Sequence, residues 1–221
     1  MNRLPIVLTL LIILIACLAS AAEPATNAAG YVMRYADIGG GNIVFTYEGD
    51  LWLVADTGGD ARRITSHEGN EMIAKFNQDG SKLAFTASYD GGRDVYIMDT
   101  QGGVPERLTF HPAGDTMVDW CPDGVSIYVN SNREYPSRAG ELYRYPLDGG
   151  MPMKLPLDRA GLASVDPQRT GIAYNRIGRE MRTWKRYEGG MAQDIWVKDF
   201  TTNEITKITD WDGTDNFPMW E

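Results

Sequence analysis

The sequence predicts an all-β fold, a β-propeller of four-stranded antiparallel blades, from a block that occurs four times. Every block contains an acidic, an apolar and an aromatic residue in a row, and an apolar residue follows fourteen positions after the acid. The four triplets are Asp50-Leu51-Trp52, Asp94-Val95-Tyr96, Glu141-Leu142-Tyr143 and Asp194-Ile195-Trp196. They lie 44, 47 and 53 residues apart, close to the roughly 40–45 residues of a propeller blade and above the periods of helical repeats.

Each block also carries strand and turn signals in the order that a small antiparallel sheet requires. A shorter apolar strand precedes every triplet, and glycine pairs at 58–59, 102–103 and 149–150 separate the last two strands of the first three blocks. Tight hairpins need positive φ at such places, although the fourth block has Thr-Thr-Asn-Glu at 201–204 instead. A sheet of this size cannot cover its two apolar faces alone, so we expect the sheets to stack face to face around an axis.

Four blades are therefore predicted at residues 31–65, 72–109, 117–156 and 162–209. Their predicted strands are 31–38, 43–47, 51–55 and 61–65; 72–76, 82–87, 94–98 and 106–109; 117–120, 125–130, 141–145 and 152–155; and 162–165, 171–175, 194–198 and 205–209. Residues 217–220 are predicted to begin a fifth blade. Because four blades and a fraction do not close a ring, we expect either a longer chain or partner subunits to complete it, and we favour the longer chain.

The first 30 residues predict a targeting segment rather than a part of the fold. Arg3 precedes an apolar run that is too short for a secure membrane span and ends in small residues, the pattern of a secretory signal peptide. We expect a signal peptide at 1–22, a disordered leader at 23–30, and an exported, periplasmic protein. The alternative is a lipid anchor on the envelope, because Leu-Ile-Ala-Cys at 14–17 resembles a lipobox in which Cys17 carries the lipid.

Composition and the few metal-binding side chains disfavour several function classes. With 21 Lys and Arg against 30 Asp and Glu, nucleic acid is a poor partner, because phosphate binding requires clusters of basic side chains. His67 and His111 occupy matching positions after closing strands, which predicts a loop role, such as a hydrogen bond to a neighbouring blade, and a poor zinc site. Cys121 precedes a Pro-Asp-Gly turn and is predicted to be a buried, inert thiol. We predict no metal ion and no cofactor.

The repeated acids and aromatic residues of the triplets predict structural roles. A carboxylate that recurs at the start of one strand in every blade favours hydrogen bonds to turn amides. The alternative is a ring of carboxylates for a metal ion or a basic peptide. The aromatic residues are predicted to pack in the core or between blades.

The segment whose composition most favours function is an insert at 176–193 in the fourth block. It carries five basic side chains against two acidic ones in an otherwise acidic chain, with aromatic residues and a Gly-Gly pair. Such a loop can dock another domain or hold the carboxylate of a peptide through arginine; the alternative is a structural flap whose guanidinium groups stack or stay solvated. The candidate residues are Arg182, Trp184, Lys185, Arg186 and Tyr187.

The repeats resemble the TolB-type propellers, and particular segments resemble the tricorn-type serine peptidases. The most specific is Trp-Lys-Arg-Tyr-Glu-Gly-Gly at 184–190, followed by the triplet at 194–196. Residues 35–38 and 47–52 look like the start of that family's first propeller, and residues 211–218 are similar to its bacterial members. Together the resemblance covers residues 31–221.

The resemblance implies a large exported serine peptidase. Its amino-terminal propeller, typically six-bladed, precedes a second propeller, a PDZ module and a catalytic domain, and the complete protein is expected to be a homo-oligomer. The catalytic residues of that family lie in its carboxy-terminal region, so none is assigned to this sequence. The implied role is a non-catalytic propeller that gates or scaffolds the passage of peptides to the catalytic domain. Two alternatives stay open: a TolB-like periplasmic protein-binding propeller without enzymatic activity, and a propeller that caps an α/β-hydrolase peptidase.

Overall fold

The computed structural model describes residues 32–134, 140–157, 159–168, 170–178, 187 and 189–220. All of its strands lie in one compact unit, Met33–Glu221. The described part of the chain contains no helix that is long and apolar enough to cross a membrane. The predicted signal peptide, leader and Cys17 lie outside the described residues.

The strands form four antiparallel sheets, and each strand pairs with its neighbour along the chain. Blade one contains β1 (Arg34–Gly39), β2 (Asn42–Tyr47), β3 (Asp50–Ala55) and β4 (Arg62–Arg63). Blade two contains β5 (Glu71–Phe76), β6 (Lys82–Ala87), β7 (Asp94–Asp99) and β8 (Glu106–Arg107). Blade three contains β9 (Asp115–Trp120), β10 (Ser126–Ser131), β11 (Glu141–Pro146) and β12 (Met153–Lys154). Blade four contains β13 (Ala163–Val165), β14 (Gly171–Asn175), β15 (Ile195–Asp199) and β16 (Ile205–Lys207). The predicted all-β fold of four-stranded antiparallel blades is confirmed.

The second strand of each blade explains why the sequence shows apolar runs rather than strict alternation. In β14 every residue from Gly171 to Asn175 is buried, and in β6 only Lys82 is exposed. A strand that is covered on both faces by neighbouring sheets has no solvent side, so apolar residues occupy both sets of alternating positions.

The outer strands are shorter than predicted, with two residues in β4, β8 and β12 and three in β16. Most of their side chains are exposed, so little apolar burial extends the pairing beyond these residues. The first strands of blades two and three begin earlier than predicted, at Glu71 and Asp115, because these two residues pair with the end of the second strand.

The core consists of clusters that each combine side chains from two adjacent blades. Representative pairs are Val44 with Phe85 (blades one and two), Val95 with Met117 (blades two and three), and Leu142 with Ile172 (blades three and four). All six side chains are 0 or 1% exposed. Full burial of such a side chain contributes about 1.5–3 kcal/mol, so the shared faces supply the stability that a single sheet lacks.

Backbone hydrogen bonds of one kind join each blade to the next. The residue before the acid of each triplet accepts with its carbonyl oxygen, and an amide near the start of the next blade donates. The donor and acceptor residues are Glu71 and Gly49 (2.7 Å), Asp115 and Arg93 (2.7 Å), Ala160 and Gly140 (3.1 Å), and Asp215 and Gln193 (3.0 Å). The last bond attaches the segment that follows blade four in the same way as a true inner strand.

Residues 215–220 lie where a fifth blade would begin, but they are not a strand, so the prediction of a strand at 217–220 is wrong in that respect. The amide of Trp220 donates to Ser164 Oγ at 3.2 Å, as the amide of Phe76 donates to Asp37 Oδ2 at 2.9 Å between blades one and two. A β-ladder requires a second strand as partner, and the described residues place none beside this segment.

Candidate functional site

The repeated acids are held by a cation on the outer strand of the same blade, thirteen residues later. The ion pairs are Asp50 with Arg63 (2.7 Å), Asp94 with Arg107 (2.7 Å), Asp194 with Lys207 (2.9 Å), and Glu141 with Lys154. These contacts support the structural interpretation of the acids. The expected partner was wrong, however, because within the described part of the chain the hydrogen bonds and ion pairs of these carboxylates join them to side chains rather than to turn amides.

Threonine side chains, rather than the acids, accept hydrogen bonds from backbone amides at the start of the third strand. In three blades the residue after the acid donates its N–H to a threonine fifteen residues beyond the acid. The pairs are Leu51 with Thr65 (2.8 Å), Val95 with Thr109 (3.0 Å) and Ile195 with Thr209 (3.0 Å). Blade three has Pro156 at the matching position. Each of these threonines lies two residues beyond the end of the outer strand.

The two histidines bind within their own loops. His67 Nδ1 accepts from the amide of Gly69 at 2.9 Å, and His111 Nδ1 accepts from the amide of Ala113 at 3.2 Å. The predicted loop role is confirmed, but the hydrogen bonds that the described residues show for the two rings lie within the loops and not between blades. His67 does reach blade two through its ring, whose centroid lies 4.1 Å from that of Tyr89.

Cys121 is buried, as predicted. Burial raises the pKa of its thiol to about 12, so the thiolate is scarce at neutral pH and the thiol is a poor nucleophile.

The insert contributes to a cavity of about 590 Å³ on blade four, which we call the blade-four cavity. Its lining includes Arg159, Arg176, Tyr187, Trp196 and Trp211. The Arg176 guanidinium lies 4.7 Å from the centre of the Trp196 ring, a cation–π contact. Of the predicted site residues, Tyr187 lies in this wall and is exposed; Arg182, Trp184, Lys185 and Arg186 lie outside the described residues.

A second cavity, of about 370 Å³, lies between the first strands of the blades, which pack side by side as β1, β5, β9 and β13. We call it the axial cavity. Its side-chain lining is Tyr35, Met72, Ile73, Arg93, Thr116, Asn130, Asn132, Leu162 and Phe217. Every blade, and the segment after blade four, contributes to it, so this is the place where the repeats converge.

Backbone proximity also shapes the wall of the axial cavity. Gly161 and Gly178 face each other there, and a Cβ atom on Gly161 would lie 2.1 Å from the Gly178 Cα atom. Only glycine permits this approach. The side-chain amide of Asn130 donates to the carbonyl oxygens of Ala160 and Gly161, which fixes this part of the wall.

Asp37, Lys75 and Asp119 form a second group of polar side chains, on the inner strands β1, β5 and β9. Lys75 Nζ lies 2.8 Å from Asp37 Oδ1. Burial raises the pKa of Asp119 to about 6, although Lys75 and the backbone amides of Trp120 and Val165 act in the opposite direction. Asp119 thus joins blade three to Val165 of blade four through a carboxylate that titrates near neutrality.

Comparison with known proteins agrees with this geometry. A family model described as the tricorn protease N-terminal beta propeller domain matches residues 31–221. The chain belongs to this family. Its resemblance to the tricorn type, expected from the insert and the first-propeller segments, is confirmed.

Two proteins to which this tricorn-type propeller is similar are much longer than the matched region. Tricorn protease homolog 1 of Streptomyces coelicolor is 31% identical over 195 residues, which are 87% of this chain and 18% of the relative. The crystal structure of the tricorn protease matches with a TM-score of 0.71 at 25% identity, over 83% of this chain and 19% of that one. TolB from Acinetobacter baumannii matches with a TM-score of 0.61 at 20% identity, over 80% of this chain and 43% of that one, which shows the shared fold alone. The chain spans less than a fifth of the length of the tricorn relative.

The residues of the axial cavity were not predicted from the sequence. No residue type is common to all of them, and Asn130 and Asn132 lie at the end of a predicted strand and just beyond it. The available signal was the position of Tyr35, Ile73 and Phe217, which lie near the start of blade one, of blade two and of the segment after blade four.

Proposed function

We propose that this chain is the non-catalytic propeller portion of a tricorn-like serine peptidase, and that its axial cavity gates the passage of peptides to the catalytic domain. The observation that carries the proposal is the axial cavity itself, about 370 Å³ in volume and lined by every blade. A cavity of this size accepts a small ligand or a short stretch of extended chain rather than a folded domain.

The nucleophile candidates and carboxylates of the chain support a gating role rather than a catalytic one. The sequence contains no Gly-x-Ser-x-Gly elbow, and Cys121 is buried with a raised thiol pKa. Most carboxylates of the repeats are engaged in ion pairs that close the blades. The tricorn relatives supply the proposed context, a peptidase of which the propeller is one part.

The test uses the full-length protein, purified as the cell produces it, with a substitution that narrows the axial cavity. Leu162→Trp places a larger side chain in the cavity wall, and Val104→Trp, at a site that is 94% exposed, is the matched control. Hydrolysis of a ten-residue peptide is compared with labelling by a fluorophosphonate, which is small and reacts directly with an activated serine. We expect Leu162→Trp to slow peptide hydrolysis about tenfold, equivalent to about 1.4 kcal/mol, while labelling stays unchanged.

The same experiment separates the alternatives. Equal hydrolysis by both tryptophan variants would reject gating through the axial cavity. A complete protein that neither hydrolyses peptides nor takes the label would favour a TolB-like binding propeller. Labelling of a serine within a Gly-x-Ser-x-Gly elbow would favour an α/β-hydrolase peptidase capped by the propeller.

We further propose that the protein is exported to the periplasm through residues 1–22, that it assembles as a homo-oligomer, and that the insert docks a domain or holds a peptide. The pattern of Arg3, an apolar run and small residues supports export. The intact mass of the mature protein distinguishes a simply cleaved protein from a lipid-anchored one. A chain that begins after residue 21 or 22 indicates simple cleavage, and a chain that begins with a lipidated Cys17 indicates an anchor.

A further inference from the structure

Three residues of the axial cavity hold a backbone conformation that L-amino acids rarely adopt. Tyr35, Ile73 and Phe217 have φ values of 53°, 53° and 57°, and all three line the cavity. Such a conformation costs about 1–2 kcal/mol per residue, and it is least expected for a β-branched residue such as Ile73. Strain of this kind persists where the surrounding structure requires it, often at sites of function.

At Tyr35 and Ile73 the strain accompanies β-bulges that redirect side chains. The β1–β2 ladder shifts register between Arg34 and Asp37, and the β5–β6 ladder shifts between Met72 and Lys75. A bulge aims a side chain away from the regular alternation. Ile73 is only half-buried, whereas its neighbour Ala74 is fully buried in the core. The bulge therefore directs an apolar side chain to the cavity instead of the core.

The polar groups in the same wall suit a peptide backbone. The side-chain oxygen of Asn132 is buried and has no hydrogen-bond partner among the described residues. Leaving such an acceptor unpaired costs about 1–3 kcal/mol, which a donor on a ligand would recover. Arg93 is the one charged residue of the described lining, so the cavity disfavours cationic groups.

We propose that Tyr35, Ile73, Leu162 and Phe217 form an apolar collar that binds an extended peptide with uncharged side chains. The collar contacts apolar side chains of the peptide, Asn132 accepts a hydrogen bond from a peptide N–H, and Arg93 repels lysine and arginine. This inference rests on the proposed gating function and adds to it the class of peptide that the gate accepts.

The test measures equilibrium binding to the complete protein as the cell makes it, after fluorophosphonate treatment to prevent hydrolysis. The probe is a fluorescent hexapeptide, blocked at both ends, that alternates serine and leucine; the matched probe has lysine in place of each leucine. Ile73→Gly removes the collar side chain and relieves the strained φ. Asn203→Gly makes the same kind of change at φ 64° in the exposed β15–β16 turn and is the control.

We expect Ile73→Gly to weaken binding of the leucine peptide at least about fivefold, which corresponds to about 1 kcal/mol of lost apolar contact. Urea unfolding should show Ile73→Gly to be about as stable as the unmodified protein, because relief of strain offsets the lost burial. Asn203→Gly should bind within about twofold of the unmodified protein. The lysine peptide should bind at least about fivefold more weakly than the leucine peptide.

Equal binding of the leucine peptide by the unmodified protein and by Ile73→Gly would overturn the collar, as would equal binding of the two peptides. Asn132→Ala is a second variant, expected to weaken binding through the lost acceptor, and it decides the matter if Ile73→Gly does not fold. Gating would survive this failure if Leu162→Trp still slowed peptide hydrolysis, so the two proposals fail separately.

Discussion

Asp94 shows what the acid of each repeat does. Its side chain is 3% exposed, and its carboxylate lies 2.7 Å from Arg107 Nη2. Burial raises the pKa of Asp94, and the neighbouring Arg107 opposes that change. A carboxylate so placed requires its cation, because an unpaired buried charge is far costlier than an exposed one.

Replacing Arg107 with Met should therefore lower the free energy of unfolding by about 2–4 kcal/mol. The matched control is Lys82→Met, which breaks the exposed pair of Lys82 with Asp99 at 3.0 Å and should cost no more than about 0.5 kcal/mol. Urea unfolding at pH 7 measures both. A cost for Arg107→Met no larger than that for the control would show that the pair does not stabilise the blade.

The third and outer strands of a blade are joined by more than their short ladder. β8 pairs with β7 through only two residues. The ion pair of Arg107 with Asp94 and the hydrogen bond of the Val95 amide to Thr109 extend the contact at the end where the ladder stops. Thr109 Oγ1 accepts the amide of Val95 at 3.0 Å and donates to Asp94 Oδ1 at 3.3 Å.

Thr109→Val keeps the shape of the side chain but removes the acceptor. The buried amide of Val95 would then lack a partner, and we expect a loss of about 1–3 kcal/mol in the free energy of unfolding. Thr57→Val, at an exposed turn position, is the control and should change stability by less than about 0.5 kcal/mol. Faster amide exchange at Val95 in the first variant alone would locate the effect, and equal stability of the two variants would exclude it.

The sequence predicted the elements better than their contacts. The strands of the four blades lie where apolar runs and turn residues predicted them, and burial on both faces dictates the runs of the second strands; residues 217–220 are the exception. The cation thirteen residues after each acid was also visible in the sequence, as Arg63, Arg107, Lys154 and Lys207, but a charge on an exposed edge strand is too common to indicate a partner.

The axial cavity was beyond sequence reasoning for a physical reason. A bulge in an inner strand reverses which side chains face the axis, and Tyr35 and Ile73 share no chemistry that marks such a bulge. The roles of Arg182, Trp184, Lys185 and Arg186 stay predictions.

At the scale of the whole molecule, the junctions between blades determine how the sheets act together. Asp119 belongs to one junction, where it faces Lys75 and Asp37 and accepts hydrogen bonds from the amides of Trp120 and Val165. Its pKa in the folded protein, about 6, lies above the ordinary value of an aspartate. The folded state therefore holds this proton more tightly, so its contribution to stability is present at low pH and is lost as the pH rises through about 6.

Asp119→Asn should remove this dependence. Relative to the unmodified protein, the variant should gain stability between pH 4.5 and pH 7.5, as measured by urea unfolding at intervals of one pH unit. Asp79→Asn is the control and should show no pH-dependent difference in this interval, because hydrogen bonds from Ser81 lower the pKa of Asp79 and the carboxylate stays ionised throughout. A stability difference for Asp119→Asn that does not change with pH would contradict the assignment.

Blades two, three and four each carry both halves of the attachment: a carbonyl before the acid of the triplet, and an amide near the beginning of the blade. Since both are backbone groups, gene duplication or deletion of one unit leaves compatible ends on either side. Rings with different numbers of units can thus arise without new bonding chemistry, and what limits the number is the wedge angle that side-chain volumes impose between neighbours.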